Sequence, residues 1–322
     1  MHSPRTNPNL TGLCSPHEPH TLALVVAHLR RGRPNVLGHV VRRALDGGAA
    51  GASIDLGPLW DYDKPELSEQ RFRAALPTAN ADDALILQTQ IARTYGLRGN
   101  FTRARETLAA VEPQLPTASA EAKVRYALEF GRTLVSATHP PESQTPQVRE
   151  RARAIYLGAF EVAKAQELDA LAIDAMHMLA FVDTAPADQL KWAREALKVT
   201  DASTQPDAKK WEASLRNNAG YALHQLGRFD DALAEFKTAL MLRQRGTDEE
   251  AIREARWMIA WTLRALKRSD EALAIQLRLE READAANAPD RYVFEELEAL
   301  YREKGDTERA DRYAAKRKAL PK

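Results

Sequence analysis

The pattern that most restricts this chain is a helix pair written into residues 213–246, ASLRNNAGYALHQLGRFDDALAEFKTALMLRQRG. Leu215, Ala219, Gly220 and Leu223 fall on one face of a first helix. Gly227 then interrupts the periodicity, and glycine suits such a break because it tolerates positive φ. Ala232, Phe236 and Ala239 follow at i, i+4 and i+7, with Leu240 beside them, as the apolar stripe of a second helix. Gly220 and Ala232 are small where two helices must approach closely. Strand signals are essentially absent from the chain.

Copies of this unit recur. One upstream has Ala92, Tyr95, Gly99, Phe101, Ala104, Leu108 and Val111, with Pro116 closing it. Another near the end has Phe294, Leu297, Tyr301, Gly305, Thr307, Ala310 and Ala314. A third joins Ala260 and Leu263 to Ala272, with Lys267 in place of the turn glycine. A fourth has Gly131 and Leu134, then Ala152, Tyr156 and Ala159, its turn lengthened by an insertion from His139 to Val148. The stretch from Leu168 to Thr200 keeps helical character but has Gln189 where the packing alanine is expected, so its register stays open.

These residues resemble the tetratricopeptide repeat (TPR) family. That family's pattern is a small residue in the first helix, Gly-x-Tyr/Phe-x-x-Ala, an aromatic, then Ala-Leu, and Gly220, Gly227, Phe229, Ala232, Phe236, Ala239 and Leu240 match it. The resemblance covers about residues 82–322. It implies an all-α fold, a right-handed α-solenoid of TPR-like helix-turn-helix units, about five of them. The packing alanines Ala232, Ala272 and Ala310 are 40 and 38 residues apart, and Ala104 and Ala152 are 48 apart. These spacings exceed the ~34 residues usual for the family. Residues 60–80 read as an N-terminal half-repeat cap, with Asp63, Pro65 and Glu66 as helix-start signals and Phe72, Ala75 and Leu76 at second-helix spacing. Such a cap gives a solenoid a soluble end.

Residues 1–59 differ in kind. They hold none of the 21 aromatic residues but seven of the 15 glycines and six of the 17 prolines. With so little to bury, they are expected to form a disordered or weakly helical leader. Arg30, Arg31, Arg33, Arg42 and Arg43 surround two short amphipathic stretches there, which Gly32, Pro34 and Gly38 interrupt. Cys14, His17 and His20 have ligand-like spacing for zinc, but three ligands on a floppy segment fall short of the usual four. No cofactor or metal is expected.

The net charge of +1 supplies no global field for nucleic acid or a membrane surface, and neither is expected as a partner. The longest apolar run, Thr21–Leu29, is nine residues, far short of the ~20 needed to span a bilayer. A single cysteine excludes an internal disulfide and fits a reducing compartment, so the expected location is cytoplasmic.

Within the TPR family, residues one position beyond the packed face of each first helix line a concave groove. Carried over residue by residue, Asn217, Tyr221 and His224 form one column, and Trp257, Trp261 and Arg264 the next. Glu295 and Arg302 follow from the last unit, and Arg93 and Arg132 from the first two. Asp174 and His177 join them from the unit of open register. Trp, Tyr and Arg offer large contact area at low entropic cost, and Asn217 can bond a peptide backbone in both senses. Core packing is the competing reading for Trp257 and Trp261, although Ile259, Ala260 and Leu263 already supply that helix's packed face. Arg93 and Arg132 are expected to suit an acidic or carboxylate ligand. Asn217 and Asn218 match part of the family's clamp for C-terminal carboxylates, but Tyr221 and Trp257 stand where that clamp has polar or basic residues.

No phosphate-cradling glycine loop, nucleophile elbow or His-Glu-x-x-His occurs in the sequence. The expected function is therefore a non-catalytic scaffold that binds a protein or peptide segment in its groove. A regulatory sensor taking a short peptide or small metabolite in the same groove is the alternative, and self-association could also cover the aromatics. An enzyme would have to bring together His177, His224 and Glu295 from three units.

Overall fold

The computed structural model describes residues 54–320. The expected zinc-like triad at Cys14 and the arginine-rich stretches lie outside the described residues, as does most of the expected leader. Ile54 to Leu59 do not belong with a leader. The Ile54 amide donates to Asp83 Oδ1 at 3.0 Å, Leu56 is buried, and Ile54 and Leu59 pack on the same apolar cluster. Burial of those three side chains draws the folded boundary earlier than the aromatic distribution suggests.

Thirteen helices of eleven residues or more follow among the described residues, with no strand. The first, α1 (Pro65–Ala75), stands alone against α2. It begins at proline after Lys64, so Asp63 is one residue too early to be its cap. Six antiparallel pairs then run through the chain. They are α2 (Ala81–Leu97) with α3 (Phe101–Val111), α4 (Ala120–Arg132) with α5 (Pro146–Ala165), and α6 (Asp169–Val182) with α7 (Pro186–Ala202). After a single turn at Pro206–Lys209 come α8 (Glu212–Gln225) with α9 (Phe229–Arg243), α10 (Glu249–Ala265) with α11 (Ser269–Ala285), and α12 (Arg291–Glu303) with α13 (Thr307–Ala319). The stretch of open register is thus a complete pair, and it raises the number of units from about five to six. The fold is an all-α solenoid.

Local chemistry sets the helix ends. Side chains of Asn80, Asn100, Ser119, Thr145, Asp248, Asp290 and Asp306 accept from backbone amides of the first turns they precede. Three within-pair turns place glycine at positive φ: Gly99 (72°), Gly227 (73°) and Gly305 (76°). Lys267 occupies the equivalent turn at φ 61°, a conformation that costs a non-glycine residue about 1–2 kcal/mol. In the divergent pair, Gln189 donates from Nε2 to the Ala180 carbonyl at 3.1 Å, closing the end of α6, and the buried alanines of α7 are Ala193 and Ala196. Trp192 is core on α7, its indole bonded to Asp183 at 2.9 Å.

Two glycines receive aromatic rings. A Cβ on Gly131 would lie 2.5 Å from the Tyr156 ring, and one on Gly220 would lie 2.7 Å from that of Phe236. Each second-helix ring therefore seats directly on first-helix backbone, which holds the pair in close contact.

Candidate functional site

Side chains bridge every junction between successive first helices. Between α2 and α4, Arg93 donates to Glu129 at 3.1 Å. Between α4 and α6, Arg132, itself 2.6 Å from Glu129, donates to Asp174. Between α6 and α8, His177 Nδ1 meets Asn218 Nδ2 at 3.2 Å. Between α8 and α10, His224 stacks on Trp261 with centroids 3.3 Å apart, and Tyr221 lies nearly parallel to Trp261 at 6.0 Å. Between α10 and α12, Trp257 meets Tyr292 edge-on at 6.4 Å, and Arg264 grips Glu296 through two 2.8 Å bonds. One strip of polar and aromatic groups thus runs across six first helices, charged at its start and aromatic toward its end.

At the charged end, burial would push the Asp174 carboxyl up, but the guanidiniums of Arg132 and Arg93 hold it below the usual range. Glu129 and Asp174 are only 4% and 8% exposed. Two cations and two carboxylates balance here, so the expectation that Arg93 and Arg132 wait for a ligand's carboxylate is corrected: the chain supplies both acids. Glu129 was not among the sequence candidates, although its i, i+3 spacing to Arg132 was the available signal. Trp60 and Tyr62 close this end, with the Arg93 guanidinium 5.9 and 5.8 Å from their rings.

Register is corrected by one residue on two helices. On α8 it is Asn218 that reaches α6, while Asn217 is 1% exposed and its amide meets no hydrogen-bond partner in the protein. On α12 it is Glu296 that binds Arg264, whereas Glu295 lies one position around the helix, about 100° away. Tyr221 is buried too, at 5% exposure, so it supports the strip from beneath. Trp257 and Trp261 are half-buried, nearly parallel at 5.9 Å, and pack along the edge of the apolar cluster.

Two clefts open on the strip. The first, about 660 Å³ including space open to solvent, is lined by Arg93, Leu97, Arg132 and Met178, by Tyr62 and by the turn at Ser136–Thr138. That turn belongs to the lengthened connection before α5. The second, about 460 Å³ on the same basis, lies among Met176, Ala180, Trp192, Leu215, Asn218 and Tyr221. Among the described residues, no group of three His, Cys, Asp or Glu is arranged to hold a metal ion, and no helix is long and apolar enough to cross a membrane.

His177 and His224 are both held neutral. Burial lowers His177 to about 4, with Asp174 opposing and Arg132 and Arg93 assisting. Burial and then Arg264 lower His224 to about 3. Unfolded imidazoles take up protons near 6.5, so below that pH the unfolded chain binds protons that the folded chain refuses. Stability is therefore expected to fall on acidification from about pH 6.5 toward pH 4, by up to ~1.4 kcal/mol per pH unit for each imidazole. Denaturation of His177→Gln and His224→Gln at pH 7, 6 and 5 checks this: each should flatten the slope relative to the parent. Identical slopes would mean that the rings are protonated in the fold.

A tetratricopeptide repeat profile matches residues 213–245, the α8–α9 pair. That pair is a tetratricopeptide repeat. A search of curated protein sequences gives no match. Among solved structures, the chain superimposes on the apo form of RapI with a TM-score of 0.60 and 13% identity, over 81% of this chain and 74% of that one. It also superimposes on a Pyrococcus horikoshii signal-transduction ATPase with numerous domains that carries a tetratricopeptide repeat sensor. The TM-score is 0.58 and the identity 14%, over 79% of this chain. The chain spans 38% of that ATPase. At these identities the likeness is one of fold.

Proposed function

We propose that this helical-repeat scaffold binds a protein or peptide segment along the first-helix strip, from the first cleft to the Trp261–Trp257 pair. The observation that carries the reading is the strip's continuity. Five consecutive helix junctions present side chains to one track, and two apolar-walled clefts interrupt it where the aromatic and charged halves meet. Trp257 and Trp261 serve as anchors, since half-buried tryptophans combine large contact area with few rotors to freeze. Screening a library of randomised heptapeptides, acetylated and amidated at their ends, against the full chain tests this. Selected peptides should bind at least about tenfold more weakly to Trp257→Ala or Trp261→Ala, in line with hot-spot losses near 2 kcal/mol. Undiminished binding to both variants would remove the aromatic end from the site.

A sensor of a compact ligand is the second reading. It is favoured by the first cleft itself, which three first helices, Tyr62 and the Ser136–Thr138 turn line together. A tryptophan-fluorescence change on titration with single amino acids or capped dipeptides would favour it over an extended segment.

A further inference from the structure

The two clefts meet on one face of α6. His177 and Phe181 belong to the linings of both, Met178 faces the first, and Met176 and Ala180 face the second. These two side chains form the partition, with the His177 ring edge-on to Phe181 at 5.2 Å. Both clefts are mostly carbon-walled, by Ala92, Leu97 and Met178 on one side and by Trp192, Leu215 and Tyr221 on the other. Each therefore offers burial to an apolar side chain.

The partition also carries a defined hydrogen-bonding capacity. Asn218 and His177 engage each other through one amide atom and one ring nitrogen. Asn218 Oδ1 is buried and meets no other group of the protein. If the amide donates to Nδ1, the neutral ring carries its proton on Nε2, leaving Nε2–H as donor and Oδ1 as acceptor. If the amide is turned over, Nδ1–H donates to Oδ1, and Nδ2 and Nε2 take the two roles in reverse. Either assignment leaves one donor and one acceptor, the complement of one backbone peptide unit. Charge agrees with this, because Arg93, Arg132, Glu129 and Asp174 neutralise one another beside the first cleft and leave no spare cation for an acidic group.

We propose that the α6 partition seats an uncharged, extended peptide segment. One apolar side chain enters each cleft, and the peptide unit between them bonds to the His177–Asn218 pair. In an extended chain, side chains two residues apart point the same way and lie about 6.6–6.8 Å from each other, which lets them straddle the partition. This rests on the reading that the strip binds a peptide, and it names the class: apolar residues at i and i+2 around a residue without charge.

The same library of capped heptapeptides tests the proposal on the full chain. Selected sequences should share apolar residues at i and i+2 with no charged residue between them. Asn218→Ala should weaken them about tenfold, the cost of one buried hydrogen bond. Ala180→Phe, which fills the second cleft from a half-buried position, should abolish the preference at one of the two places. Circular dichroism and melting of both variants show that the helices persist, and Asn218→Ser supplies a gentler variant if alanine unfolds the pair. Acidic selections, apolar spacing of i, i+3 or i+4, or unchanged affinity for Asn218→Ala would overturn the proposal. If those same peptides still lose affinity for Trp257→Ala, peptide binding by the strip stands. Failure to select any peptide would overturn both.

Discussion

Arg132→Ala is expected to lower the unfolding free energy by about 3–5 kcal/mol at neutral pH. The guanidinium sits between Glu129 and Asp174, and both carboxylates are almost entirely covered. Arg93 stays 3.1 Å from Glu129 and 3.9 Å from Asp174, so one cation would face two acids in a site screened poorly by solvent. The sign of the pH dependence follows from Asp174, whose carboxyl is held below its ordinary range. That group contributes stability above about pH 4, and the contribution is lost as pH falls. The difference between parent and variant should therefore persist from pH 7 to about pH 4 and shrink only below it. Adding Asp174→Asn to Arg132→Met should recover much of the loss, because the uncompensated charge goes with its partner. Hydrogen exchange at α4 and α6 is the suitable measurement, since repeat arrays can open locally. A loss under 1 kcal/mol would mean that water already reaches the carboxylates.

Phe236→Ala is expected to cost about 3–5 kcal/mol, the range for a fully buried phenylalanine. Its ring is 0% exposed and lies against the backbone of Gly220. Gly220→Leu should be destabilising by itself, since a Cβ there would sit 2.7 Å from Phe236 Cε1. Combined, the two changes exchange bulk across the same contact. The double variant should be more stable than the sum of the single losses predicts, by about 1 kcal/mol or more. Simple additivity in chemical denaturation would mean that the α8–α9 pair shifts apart to accommodate either change.

The helix pairs were legible because their signals are local. Gly99, Gly227 and Gly305 mark turns that need positive φ, and the alanines at 104, 152, 232, 272 and 310 mark close helix contact; all five of these alanines are fully or almost fully buried. The α6–α7 pair hid its register because Gln189 does a carbonyl-capping task where alanine would pack. The site was legible only in part. His177, His224, Trp257, Trp261 and Arg264 all lie on the strip, yet Asn217 is buried beside the residue that does bridge, and Glu295 sits next to Glu296. A rotation of one residue is about 100° of helix, and a stripe of apolar residues that broad does not locate its own edge.

Sequence by itself determined the helical stripes and the glycine turns, because each depends on residues within one or two turns of each other. Tertiary structure alone decided which charges neutralise which. Glu129 and Asp174 come from separate units, and Arg93 and Arg132 are equally suited to a foreign carboxylate until the stacking of α2, α4 and α6 brings those two acids within reach. It also placed the two clefts on either side of His177 and Phe181, since a cleft is made by the packing of several helices and is encoded in no single one of them.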